Sequence, residues 1–412
     1  MPSDSLSPCP ACDSAGGRIV HRAFGVPVQS VRLLHDPDLA RRFPTGDIAL
    51  AFCPACGFIW NAVFDPQRLD YGLDYEATQA HSGIFDSFHR KLAAGLVERH
   101  GLAGKTVVEV GCGQGEFLEL LCRSGAGRGI GIDPAYRAGA PDAPHGAQVE
   151  VHPEALAGRH RALAGDLVCC KMTLEHIETP AAFVRQVGGT LAGGPACPLF
   201  FQVPEVTRIL RQGAFWDVYY EHCSYFSPGS LARLFRRAGA RVTALWTDYD
   251  DQYLMIEADW PSDGGAVEPL AAEEPLPLLA EAVAAFEGQA ADAVAAWRVW
   301  LEQESGAGRP VVLWGGSSRT VAYLSAMADA GRGISAVVDI NPRKDGSYLP
   351  GSAQPVVGPA ALPALDPASV VVMNPIYRSE VAATLADLGL TPDLLTVDRA
   401  PETAASSPRP PS

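Results

Sequence analysis

The order of apolar segments predicts an α/β protein whose central domain is a seven-stranded, mostly parallel sheet covered by helices. Short aliphatic runs alternate with helical patterns from Thr106 to Ala258, and such alternation buries a parallel sheet under helices on both faces. Two cysteine pairs precede this region, and a second, shorter strand–helix series follows it. The expected organisation is a cysteine module over residues 1–66, a central domain over 67–259, a linker and long helix over 260–308, a smaller C-terminal α/β domain over 309–400 and a disordered tail over 401–412.

Taken in order, residues 1–66 read as irregular, and residues 67–104 as helical, with Phe85, Phe88, Leu92, Leu96 and Val97 at three- and four-residue spacing. Thr106 to Val110 reads as a buried strand, Gly115 to Ser124 as a helix and Gly129 to Asp133 as the next strand. Strands are expected at Gln148 to Val151, Asp166 to Met172 and Leu199 to Val203, with helices at Pro180 to Leu191 and Ser227 to Ala238. Arg241 to Trp246 and Gln252 to Ala258 are close enough in sequence to pair antiparallel and end the sheet. Asp259 to Leu276, rich in Pro, Gly and acid, reads as a boundary, and Leu278 to Gln303 as one long helix. Val311 to Leu313, Val321 to Ala330, Ala336 to Asp339 and Val370 to Met373 then read as strand, helix, strand and strand.

Composition narrows the function classes. Hydrophobic residues make up 47% and charged residues 19% of 412, a globular balance. The formal charge of -15 argues against a nucleic-acid partner, because such binding relies on Lys and Arg neutralising phosphates. No apolar run reaches the ~18 residues of a membrane span. Met1 to Pro10 has neither the basic start nor the apolar stretch of a secretory signal. A cytoplasmic protein, monomer or homodimer, acting on a small molecule is expected. Six of the ten cysteines (Cys112, Cys122, Cys169, Cys170, Cys197, Cys223) lie among apolar residues and read as small core fillers.

Glu109-Val110-Gly111-Cys112-Gly113-Gln114-Gly115 falls between a strand and a helix, and the next strand ends in Gly131-Ile132-Asp133. The glycines let the backbone turn sharply and approach a ligand. The acid at the second strand end suits the hydroxyls of a ribose. A dinucleotide fingerprint would be Gly-x-Gly-x-x-Gly; here the third glycine comes one residue early. This spacing resembles the first motif of class I methyltransferases that use S-adenosylmethionine (SAM). The expectation is that fold, a Rossmann-like seven-stranded sheet, with Glu109, Gly111, Gly113, Gly115 and Asp133 at the cofactor. In the C-terminal domain, Gly315-Gly316-Ser317-Ser318-Arg319-Thr320 lacks the third glycine of the dinucleotide fingerprint, which disfavours an oxidoreductase.

Cys9-Pro10-Ala11-Cys12 and Cys53-Pro54-Ala55-Cys56 are two near-identical hooks. Together they can give four thiolates to one tetrahedral zinc, a closed and therefore structural site. A redox-active Cys-x-x-Cys is the alternative, and neither hook sits in the βαβ setting it needs.

The run Trp216-Asp217-Val218-Tyr219-Tyr220-Glu221-His222-Cys223-Ser224-Tyr225-Phe226-Ser227 follows the fifth strand, at the edge where open α/β sheets bind ligands. A histidine is the natural general base near neutrality, and a phenol can donate to an oxyanion. With Tyr71-x-x-x-Tyr75-Glu76, Gly315-Gly316-Ser317-Ser318 and Asp339-Ile340-Asn341-Pro342-Arg343-Lys344-Asp345-Gly346, nearly the whole chain resembles the SAM-dependent C-methyltransferases of bacterial deoxysugar pathways. Those enzymes act on nucleotide-linked 4-keto sugars. The resemblance implies an active-site run of Tyr219, Glu221 and His222, with His222 as base. It also implies Tyr75 at the mouth of the site and His176 facing the substrate. Arg343 and Lys344 could shape a turn or meet a sugar-nucleotide diphosphate. Tyr220, where the family often has a second histidine, and Met373-Asn374-Pro375-Ile376-Tyr377 depart from its pattern.

Overall fold

The computed structural model describes residues 6–69, 76, 78–79, 81–139, 148–194, 197–260 and 268–401. The N-terminal region is not irregular. Strands β1 (Arg18–Pro27), β2 (Thr45–Phe52) and β3 (Ile59–Asn61) form an antiparallel sheet. Its fourth strand, β9 (Ser224–Tyr225), comes from the central domain and pairs with β3. The pattern was hidden because β1 breaks register between Ile19 and His21 and again between Ala23 and Val26, which destroys the two-residue alternation that marks a strand.

The central sheet has the expected seven strands. They are β4 (Thr106–Val110), β5 (Arg128–Ile132), β6 (Val149–His152), β7 (Leu167–Lys171), β8 (Cys197–Pro204), β10 (Arg241–Asp248) and β11 (Tyr253–Trp260). Their order is β10-β11-β8-β7-β4-β5-β6. Strands β8, β7, β4, β5 and β6 run parallel, and β11 is antiparallel to both β8 and β10. The helix Gly83–Arg99 is shorter than the 67–104 pattern, and Phe85, Phe88, Leu92 and Leu96 are buried on it. Its start is held from afar: Glu380 accepts hydrogen bonds from Ser82 Oγ (2.9 Å) and the Ile84 amide (2.9 Å).

The C-terminal domain adds two strands to the three expected. Strands β12 (Val311–Trp314), β13 (Ile334–Val338), β14 (Val356–Val357), β15 (Ser369–Val372) and β16 (Asp393–Thr396) form a parallel sheet in the order β14-β13-β12-β15-β16. β14, at two residues, is too brief to carry a sequence pattern, and β16, although as long as β12, holds only two apolar residues and is partly exposed. The helix Leu276–Gly306 begins after Pro275 and lays Leu279, Val283 and Phe286 into the core formed by Val20, Ile48 and Leu50. It thereby joins the N-terminal sheet to the rest of the protein. Among the described residues, no helix is long and apolar enough to cross a membrane.

Candidate active site

The parallel strands of the central sheet and the C-terminal sheet turn their C-terminal edges toward one cavity of about 1220 Å³. Residues directly after β4 (Gly111), β5 (Asp133), β12 (Gly315), β13 (Asp339) and β15 (Met373) line it. Loops at that edge carry the ligand-binding residues of open α/β sheets.

The glycine motif has local reasons for its spacing. Gly111, Gly113 and Gly115 have φ of +73°, +57° and +86°, the left-handed region that side chains disfavour. A Cβ on Gly111 would stand 2.0 Å from Thr173 Oγ1. Asp133 holds the loop closed, since its carboxylate accepts from the Gly113 amide (2.8 Å) and the Ala135 amide (2.7 Å). A carboxylate has about four acceptor sites, so capacity for ribose hydroxyls remains. Glu109 is buried, and its Oε2 has no hydrogen-bond partner among the described residues. Burial pushes its carboxyl up to about 7, against the pull of Lys171. An orphaned acid and a glycine cradle on one cavity wall fit a cofactor that brings an ammonium group to the loop.

Across the cavity, Tyr219, Glu221 and His222 sit between the short turn Phe215–Asp217 and β9. The Tyr219 and His222 rings lie 4.3 Å apart, and the His176 and His222 rings 4.9 Å apart at 88°. His176 Nδ1 is 2.9 Å from the Glu221 carbonyl. A carbonyl can only accept, so Nδ1 carries the proton and Nε2 is left with its lone pair. Glu221 Oε2 accepts from the Ser30 amide (3.0 Å), which fastens the run to the N-terminal module. Burial lowers His176 to about 4 and holds His222 well below the usual histidine range, so both are neutral at pH 7. Burial also keeps Tyr219 protonated. Tyr75 and Tyr71 lie outside the described residues.

Other residues at this site were not singled out from sequence. Glu175 is buried, neither of its oxygens has a hydrogen-bond partner among the described residues, and burial pushes it up to about 8. One donor atom from each of Glu175, His176 and His222 lies within 4.8 Å of the others. Asp217 takes Arg208 on one oxygen (2.6 Å) and Arg319 on the other (2.6 Å). Tyr220, by contrast, is structural: it packs on Gly46 and its hydroxyl accepts from the Asp65 amide (2.9 Å). The basic pair is also engaged. Arg343 meets Glu76 (2.8 Å), while Lys344 meets Asp339 (3.2 Å) and the Gly316 carbonyl (2.9 Å).

The cysteine hooks converge. Cys9 and Cys56 Sγ are 3.7 Å apart, Cys12 and Cys53 Sγ 3.6 Å, and all four sulfurs lie within 4.8 Å of one another. A tetrahedron with Zn–S bonds of about 2.3 Å has edges of about 3.8 Å, so the donor set fits a zinc ion. The hydrogen bond between Cys9 and Cys56 lowers the Cys9 thiol and raises that of Cys56.

Comparison with known proteins agrees with this architecture. The family model described as a methyltransferase domain matches residues 85–245, and one described as a C-methyltransferase C-terminal domain matches residues 263–390. The C-methyltransferase NovU of Streptomyces niveus is 30% identical over 353 residues, 82% of each chain. A ubiquinone biosynthesis O-methyltransferase of Sodalis glossinidius is 39% identical over 101 residues, which covers 22% of this chain and 39% of that relative. The magnesium protoporphyrin IX methyltransferase of Synechocystis, solved with bound SAH, is 17% identical with a TM-score of 0.35, covering 46% of this chain and 90% of that one. The O-methyltransferase matches 22% of this chain, whereas the relative matched over 82% of it is a C-methyltransferase. The chain belongs to the SAM-dependent C-methyltransferase family.

Proposed function

We propose that the protein C-methylates a nucleotide-linked keto-deoxysugar through an enolate, with His222 as general base and Tyr219 as donor to the enolate oxygen. The observation that carries this reading is the meeting, in one cavity with the glycine loop, of neutral imidazoles and a phenol that stays protonated. Carbon next to a ketone is a very weak acid, so its methylation needs both a base and a partner for the oxygen, which an O- or N-methyltransferase does not. His222 takes the α-proton on a ring nitrogen, Tyr219 donates to the oxygen on which charge develops, and His176 faces the substrate. Glu175 stands beside the imidazolium that results. SAM supplies an electrophilic methyl group whose bonding pair leaves with sulfur as the enolate carbon attacks. Glu109, Gly111, Gly113, Gly115 and Asp133 hold that cofactor in line, and near-attack placement is itself a large part of such catalysis. Cys9, Cys12, Cys53 and Cys56 hold a structural zinc.

The test uses a nucleoside-diphosphate 4-keto-6-deoxysugar. His222→Ala should keep SAM binding, lose solvent deuterium exchange beside the ketone measured without SAM, and cut turnover roughly 10²-fold or more. Exchange at the wild-type rate would move the base to His176 or Tyr75. Methylation of an oxygen or nitrogen would end the enolate reading. Metal analysis should find one zinc per chain. A second equivalent that His222→Ala removes would assign Glu175, His176 and His222 to a cation instead, because a ligated imidazole cannot take a proton.

A further inference from the structure

Glu109 and Lys171 stand on neighbouring strands of the central sheet, and Glu109 of β4 lies opposite Cys169 of β7. Alternate residues of a strand share a face, so Lys171, two positions beyond Cys169, projects on the same side as Glu109. Both line the cavity and both are buried, at 2% and 8% exposure. Among the described residues, the ammonium of Lys171 does not rest on an acid. Its Nζ lies 2.7 Å from His89 Nε2 and 3.8 Å from the centre of the Phe117 ring. His89 is neutral, pushed down to about 2 by burial and then by the adjacent ammonium, so its Nε2 accepts from Lys171 and adds no charge. Glu109 Oε2 has no hydrogen-bond partner among the described residues.

One wall of the cavity therefore carries an acid and an amine side by side, both buried, which attract one another but share no ion pair among the described residues. Burying charge without a partner is costly. The arrangement is relieved by a ligand that brings both opposite charges on one small unit, and an α-amino acid group does so. We propose that Lys171 binds the α-carboxylate of the methionyl part of SAM, with Glu109 on the α-ammonium and His89 orienting the lysine. The inference rests on SAM as cofactor and is independent of the acceptor. The glycine motif points to Glu109, but nothing in it points to Lys171, which lies at the end of another strand. Phe117, under the ammonium, stabilises the positive charge through its ring face.

The experiment is calorimetry with S-adenosylhomocysteine, which carries the amino-acid group, and 5′-methylthioadenosine, which lacks it. Lys171→Met should weaken S-adenosylhomocysteine by roughly 10- to 100-fold, the range for a charged hydrogen bond, and leave methylthioadenosine unchanged. Unchanged affinity for S-adenosylhomocysteine would overturn the proposal. So would an equal loss for both ligands, since the lysine would then only prop up the pocket. Should Lys171→Met not fold, Lys171→Arg is compared with the wild type using SAM and decarboxylated SAM. Removing the carboxylate should weaken binding less in the variant than in the wild type, because the displaced charge has already lost part of the contact. The same loss in both proteins overturns the assignment. No acceptor is used in any arm, so a failure of the sugar reading leaves the result intact.

Discussion

At the level of single residues, Asp133 acts on the loop as well as at the ligand. The strand-end acid was legible because its place relative to the glycines follows from backbone geometry, yet its hydrogen bonds to Gly113 and Ala135 were not. Asp133→Ala should weaken S-adenosylhomocysteine by about 1.5–3 kcal/mol or more, the worth of a charged hydrogen bond, and lower the melting temperature as well. Affinity unchanged in calorimetry would remove Asp133 from the cofactor site. Gly111 gives a sharper test. Gly111→Ala meets Thr173 Oγ1 at 2.0 Å and a φ of +73°, so it should abolish cofactor binding. Adding Thr173→Ala removes the Oγ1 and Cγ2 contacts but leaves the residue 173 Cβ at 2.9 Å and the left-handed strain, about 1–2 kcal/mol. Partial recovery of binding in the double variant is expected, and full recovery would show that the glycine is needed for space alone. Glu175 and Lys171 escaped the sequence reading for a common reason. A polar residue at or just past a strand end shows nothing of what faces it from 47 residues away, as His222 does for Glu175, or from 82, as His89 does for Lys171.

At the level of elements, the helices and strands of the central domain were legible because each buries a periodic apolar face. The N-terminal strands were not, because two register breaks in β1 erase the alternation. Their role explains why a four-cysteine module belongs in a methyltransferase. Strand β9 follows the Tyr219–His222 run within two residues and pairs with β3, while Glu221 accepts from the Ser30 amide. The module therefore positions the proposed acid–base residues, and the glycine loop stands on another sheet. Structural zinc adds folding free energy directly to the module that binds it. Cys12→Ser, or zinc stripped by a chelator, should lower thermal stability and cut turnover while S-adenosylhomocysteine still binds. Turnover unchanged in zinc-free protein would show that the module does not position the run.

The molecule as a whole is held around its cavity by side chains that no local pattern announces. Asp217 and Arg319 are 102 residues apart in sequence, and Gln252 pairs with Asn374 through two reciprocal amide bonds of 3.0 Å. The motif containing Arg319 was visible from its glycines, but its tie to the central domain was not. Asp217 is completely buried between Arg208 and Arg319, which also reaches Gln252 at 2.8 Å. Burial alone would raise the Asp217 carboxyl, but the two guanidiniums outweigh it and hold it below the usual range. A depressed carboxylate contributes its stability above the unfolded value, near pH 4, and loses that contribution as pH falls through the folded value. The clamp between the domains should therefore be insensitive to pH throughout the neutral range. Removing the acid strands two buried cations, and breaking a buried pair costs about 3–5 kcal/mol. Arg319→Met is the gentler probe, because Asp217 keeps Arg208. With Arg319→Met, S-adenosylhomocysteine affinity should hold, since the glycine loop is untouched, whereas KM for the acceptor should rise as the C-terminal domain loses its register over the cavity. If KM stays at the wild-type value while the melting temperature falls, Arg319 only stabilises the fold, and the C-terminal domain does not help to hold the acceptor through this contact.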